Sequence, residues 1–171
     1  MLYVFADWLL DVLASSSTHW IMEILQRIGN KQSRKVKEED MERVKSLIQP
    51  MRELCLQPLG NHIDGAYALA HCQVDQDDPL RFFVLSTGVC VVNPSITKYI
   101  GSPFRHQEGC MSYCDAACQM GVKRYKKIIA KYTLLNNDEP VVTLEGVLMD
   151  GMDALVFQHE VDHMNGKHIY S

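Results

Sequence analysis

The sequence predicts an α+β fold in a single domain, with antiparallel strands packed around a C-terminal helix. Three observations carry this. A helical apolar period runs from Glu38 to Leu56, strand-like runs rich in Val, Ile and Tyr fill the middle of the chain, and a last helical pattern covers Gly151 to Met164. A length of 171 residues, 47% hydrophobic and 22% charged, is ordinary for one globular unit with a proper core.

Met1 to Ala14 is apolar enough for a signal peptide, yet it lacks a basic start, and Asp7 and Asp11 interrupt it on one helical face. The expectation is an amphipathic helical extension over residues 1–20, packed on the body or on a partner, with a signal peptide as the lesser reading. It is too short to span a bilayer. Ser15 to Thr18 breaks it, and Met22 to Lys37, with its Gly29-Asn30 turn, reads as an irregular entry to the main unit, residues 21–171.

Met41, Val44, Leu47, Ile48, Met51 and Leu54 recur at helical spacing. Pro50 inside that pattern is expected to kink or split the helix, because it removes a hydrogen bond and crowds the preceding turn. Pro58 to Asp64 is a turn-rich link to Ala66–Val74. Arg81–Ser86 and Val89–Val92 then read as a hairpin about Thr87-Gly88, ended by Asn93-Pro94. Val122–Leu134 reads as one strand and Val141–Val147 as another, joined by the Asn136-Asn137-Asp138 turn. Gly166 is placed to cap the last helix.

The net charge of −4 gives no reason to expect direct nucleic-acid binding, and Lys123, Arg124, Lys126 and Lys127 read as a solvated face. The six cysteines do not read as a secreted disulfide framework, since such frameworks belong to short chains without a core. Cys110, Cys114 and Cys118 cluster instead beside a motif that needs a thiolate, which points to a reducing compartment.

The ion that would take such a thiolate is suggested further along the chain, by Gln158-His159-Glu160-Val161-Asp162-His163. Side chains at i and i+4 share a helix face, so both imidazoles can bind one ion, and Glu160, roughly a hundred degrees further round, reaches the ion's open position. Such an arrangement activates water and predicts a metal-dependent hydrolase. A catalytic ion takes a third protein ligand, and Cys110 in Glu108-Gly109-Cys110-Met111-Ser112 is the candidate.

These two segments resemble the second and third signature motifs of peptide deformylases. Ala66-Tyr67-Ala68-Leu69-Ala70-His71-Cys72-Gln73 is similar to the family's first motif, Gly-x-Gly-Leu-Ala-Ala-x-Gln; both glycines are replaced by alanine and the second alanine by His71. The resemblance runs from Met22 to the end of the chain. It implies removal of the N-formyl group from the N-terminal methionine of newly made polypeptides, with one divalent ion, Fe2+ natively and Zn2+ or Ni2+ also accepted. Carried over by position, it makes Cys110, His159 and His163 the ligands on a metal-binding C-terminal helix. Glu160 then moves the water's proton to the leaving amine, while the Gln73 amide and the Met111 backbone N–H hold the formyl oxygen.

Tyr67, Ala68, Leu69 and Arg124 are the implied substrate contacts. Tyr67 equally suits a core position, and Arg124 equally suits a surface strand. The family's second glycine lets the peptide lie along the backbone as an added strand; Ala68 there costs about 1 kcal/mol if its φ is positive. Glu108 and Asp162 are placed to accept hydrogen bonds from ligands or to anchor the loop, Asp162 being equally suited to solvation; His71 and Cys72 read as packing residues. The implied partners are formylated nascent peptides at the ribosome, met by a monomer in the cytoplasm, with an organelle left open and no membrane involved. Two other readings stand beside this one: a structural metal site closed by Cys114 or Cys118, and a deformylase-like protein that binds peptides without turning them over.

Overall fold

A computed structural model describes residues 31–57, 66–112, 120–135, 141–167 and 169. The expected N-terminal extension, the link at Pro58–Asp64, Cys114, Cys118 and the Asn136–Asp138 turn lie outside the described residues.

The described chain begins with a one-turn 3₁₀ segment, Glu38–Asp40, that leads into helix α1, Met41–Cys55. Strands follow as β1 (Ala68–Ala70), β2 (Phe82–Leu85), β3 (Cys90–Ile100), β4 (Phe104–Glu108), β5 (Met120–Arg124), β6 (Lys127–Leu135) and β7 (Val142–Asp150). Helix α2, Gly151–Met164, comes last. The strands form a five-stranded antiparallel sheet in the order β1-β2-β3-β6-β7 and a separate β4-β5 pair.

Alternation along the strands explains why a helix covers each face of the sheet. In β2, Phe82 and Val84 join Leu47, Met51 and Leu54 of α1 in one buried cluster. Phe83 points the other way and joins Phe157, Val161 and Met164 of α2, together with Ile128 and Ala130. With both faces covered, β2 reads as the continuous apolar run Phe-Phe-Val-Leu rather than as an alternating pattern. Burying a side chain such as Phe83 contributes about 2–3 kcal/mol.

Helix α2 is buried on most of its circumference, with Ala154, Leu155, Phe157, Gln158, Glu160, Val161, His163 and Met164 all inside. Polar side chains on such a helix face the interior and need partners. Its end has the Schellman form: the Gly166 N–H reaches the His163 carbonyl at 3.0 Å, and the Lys167 N–H reaches the Asp162 carbonyl at 2.9 Å. Gly166 takes φ +72° to make this turn, which favours glycine. Arg81 adds a cation at the same end, donating to Asn165 Oδ1 at 2.9 Å.

Three expectations are corrected and one, the kinked or split helix, is narrowed. The helix at Pro50 is not split: α1 continues from Met41 to Cys55 with Pro50 buried inside it. Asn93-Pro94 does not end the hairpin, because β3 continues to Ile100 across a bulge between Val92 and Ser95. Asn93 sits there at φ 52°, tied to the Val36 backbone through its Oδ1 at 2.8 Å and its Nδ2 at 2.9 Å, so the missing proline N–H falls where the ladder is already interrupted. The run Val122–Leu134 is two strands, β5 and β6, parted at Tyr125-Lys126 and placed in different sheets. Arg124 does not belong to a solvated face: Lys123, Lys126 and Lys127 are exposed, while Arg124 is buried.

Candidate metal centre and cleft

Three elements deliver the site. The turn after β1, a 3₁₀ segment at His71–Gln73, carries Gln73; the exit of β4 carries Glu108 and Cys110; α2 carries His159, Glu160 and His163. His71 anchors the first of these from within the core, stacked on Phe82 at 4.7 Å and accepting the Leu80 N–H at its Nδ1 at 3.0 Å. Burial lowers its pKa to about 4 and keeps the ring neutral.

Cys110 Sγ, His159 and His163 place their ligand atoms within 4.8 Å of one another. The Cys110 sulfur is 3.3 Å from His163 Nε2, and the two Nε2 atoms are 3.0 Å apart. His159 Nδ1 is 3.1 Å from Glu108 Oε1, a bond that assigns the Nδ1–H to the carboxylate and turns Nε2 towards the cluster, where a metal ion would take the place of the Nε2 proton. Burial works against a charged His159, but Cys110 and Glu108 outweigh it and hold the pKa well above the ordinary histidine value. A sulfur and two imidazole nitrogens converging on one point, in surroundings that favour positive charge, fit a divalent ion.

Glu108 is the centre of the supporting network. Arg124, only 4% exposed, lays its guanidinium across Glu108 and Asp162, with Nε 3.1 Å from Glu108 Oε2. Burial alone would push the Glu108 carboxyl up, but hydrogen bonds from His159 and Arg124 bring its pKa down to about 2. It stays ionised and fixes the tautomer of His159. Glu160 is in a different position. Burial raises its pKa to about 7, with the His159 charge opposing, and its Oε2 accepts no hydrogen bond from the described residues. A carboxylate in this state suits proton transfer.

Gln73 is oriented by its surroundings: its Oε1 accepts the Ala70 N–H at 2.8 Å, and its Nε2 donates to Ser112 Oγ at 3.0 Å and lies 3.9 Å from the Cys110 sulfur. The amide hydrogens therefore face the cluster.

A cleft of about 360 Å³ opens over these groups, lined by Gln73, Cys110, Met111, His159 and Glu160. Tyr67, 71% exposed, and Ala68 form part of its wall. Asn93 is the only described non-glycine residue with positive φ, so Ala68 is ordinary strand and its methyl brings no backbone strain. Leu69 and Arg124 do not line this cleft; Leu69 is in the α1 core and Arg124 in its ion pairs.

Sequence reasoning missed several site residues. Met152, Leu155 and Val156 line the cleft one and two turns before His159 on the same helix face, a signal that helical spacing carries. His106 also lines it and carried no signal. Gln158 was quoted in the motif without a role; its amide pairs both ways with the Tyr125 backbone, accepting the N–H at 2.9 Å and donating to the carbonyl at 2.8 Å, and so ties α2 to the β5–β6 junction.

Among proteins of known family, the chain is 39% identical over 82 residues to the peptide deformylase of Wolbachia pipientis, covering 47% of this chain and 42% of that one. It spans about half the length of the curated relatives it matches. In structure it is similar to the peptide deformylase of Thermotoga maritima, with TM-score 0.64, 33% identity, and 86% and 88% of the two chains covered. The deformylase of the Vibrio parahaemolyticus bacteriophage VP16T, solved in complex with actinonin, matches with TM-score 0.60 at 25% identity, over 83% and 93% of the two chains. The family model described as polypeptide deformylase matches residues 18–171, most of the chain, and the chain belongs to that family.

Proposed function

We propose that this protein is a metal-dependent amide hydrolase that removes the N-formyl group from the N-terminal methionine of newly made polypeptides. The observation that carries the proposal is the convergence of Cys110, His159 and His163 beside a buried Glu160, at the floor of an open cleft. Cys110, His159 and His163 would hold one divalent ion, Fe2+ in the cell and Zn2+ or Ni2+ as substitutes. When bound, that ion supplies Lewis acidity and lowers the pKa of water.

The chain's own residues do the rest. Glu160, with its pKa near neutrality, accepts the proton of the attacking water and returns it to the leaving amine. The Gln73 amide and the Met111 backbone N–H are assigned to the formyl oxygen as negative charge develops on it; one such donor is worth on the order of 3 kcal/mol. Tyr67 and Ala68 flank the peptide, and Met152, Leu155 and Val156 offer an apolar wall to its side chain. Leu69 acts through the core and Arg124 through Glu108, one step removed from the peptide. The enzyme works as a monomer in the cytoplasm on formylated chains near the ribosome; no helix among the described residues is long and apolar enough to cross a membrane.

The test is formate release from formyl-Met-Ala-Ser by anaerobically prepared, iron-loaded protein and by its Glu160→Gln variant. The variant is expected to bind the ion normally and to lose a hundredfold or more in kcat. Equal rates remove Glu160 as the proton carrier. Formate release absent in both, with actinonin still bound, would make the protein a peptide binder. Four protein donors on the bound ion would make the site structural.

A further inference from the structure

A second groove of about 530 Å³ shares no lining residue with the cleft, and its wall is basic although the chain carries a net charge of −4. Arg105, Lys123 and Lys167 line it, all exposed. Asp162 is its one acidic lining residue, and that carboxylate is ion-paired with Arg124, which it shares with Glu108.

Two features mark this groove as more than a solvated face. Arg105 and Lys123 stand directly opposite each other across the β4–β5 ladder. Side chains at such a position lie on the same face, and like charges there are destabilising. Lys127 and Lys131, by contrast, each have a carboxylate partner on β7, Asp150 and Glu145. Among the described residues no carboxylate pairs with Arg105, Lys123 or Lys167. The second feature is aromatic: Tyr99, 49% exposed, and Tyr125 line the same groove with ring centroids 4.7 Å apart.

We infer that this groove binds single-stranded RNA, with Arg105, Lys123 and Lys167 on backbone phosphates and the Tyr99–Tyr125 pair stacking on a base. A row of cations relieved of mutual repulsion by an anion, beside an aromatic pair at the surface, is how sequence-tolerant single-strand binding is built. An acidic peptide would satisfy the charges but leave the aromatic pair without a partner. Helical RNA keeps its bases stacked on one another and away from the tyrosines. The inference concerns a surface separate from the cleft and does not depend on the hydrolase assignment.

Fluorescence anisotropy of a labelled uridine dodecamer, titrated with the metal-loaded full chain, tests it. Binding is expected at about 50 mM salt, and three phosphate contacts predict a logarithmic salt slope of about −2, so the Kd should rise on the order of fifteen-fold by about 200 mM. Lys123→Glu should weaken binding tenfold or more while raising the melting temperature, since Arg105 then faces an opposite charge. Lys167→Glu, outside the sheet, should weaken binding similarly. Tyr99→Ala should weaken it several-fold and leave the salt slope unchanged. No binding of the dodecamer at about 50 mM salt overturns the inference. So does binding unaltered in both charge reversals, or equal binding of a poly-glutamate peptide, which would make the groove an acidic-peptide site.

Discussion

Glu108 never touches the water or the peptide in this assignment, yet it decides how firmly His159 can serve as a ligand. It accepts the Nδ1–H of that ring while Arg124 holds its other oxygen. Glu108→Gln keeps the shape and removes the charge, so metal affinity should fall on the order of ten- to a hundredfold, read by competition with a chromophoric chelator. At the opposite wall, Gln73→Ala should leave metal binding intact and lower kcat by about a hundredfold. His71 governs acid stability instead. Its pKa of about 4 lies below the ordinary value of roughly 6.5. Between those pH values the unfolded chain takes up a proton that the folded chain refuses, so its contribution is complete above pH 6.5 and is lost as the pH falls towards 4. The wild-type urea midpoint should therefore drop more steeply from pH 7 to 4.5 than that of His71→Phe, with a difference on the order of 2 kcal/mol. The convergence of His159 and His163 was legible through helical spacing, while Cys110 was legible only through its residue type and the resemblance of its segment. The burial of Arg124 was not, because it depends on carboxylates supplied by β4 and α2, which the local pattern around residue 124 does not contain.

Among the elements, α2 was the most legible: its apolar content, its length and the glycine after its end all point the same way, and its bounds are those expected. β4 was invisible. Phe-Arg-His-Gln-Glu is polar, its residues alternate between exposed and half-buried, and neither face lies in a core that would impose an apolar pattern. The division of β5 from β6 went unseen because no glycine or proline marks Tyr125-Lys126. What holds that corner is Gln158, from a helix distant in sequence. Gln158→Ala should leave the Tyr125 N–H and carbonyl without these partners and cost about 1–3 kcal/mol, seen as a lower melting temperature. At β1, the fear that alanine would distort the cleft wall dissolves once Ala68 is seen as ordinary strand.

Over the whole molecule, the ligand cluster ties the exit of the small β4–β5 pair to a helix that the large sheet supports. Bound metal therefore stabilises the relative placement of the two, and chelation should lower the melting temperature in proportion to the logarithm of free metal over its Kd. The large sheet has a second consequence at its far edge. There β7 exposes Val142 and Leu148 along with the preceding Val141. Yet Gly146 turns left-handed at φ +68°, and the pairing with β6 slips a register between Ala130 and Tyr132. Such a crook spoils the flat hydrogen-bonding margin on which a stray strand from another molecule would nucleate. The bend at Gly146 is thus expected to disfavour fibrous clumping in concentrated solutions, a consequence unrelated to any chemistry elsewhere in the fold.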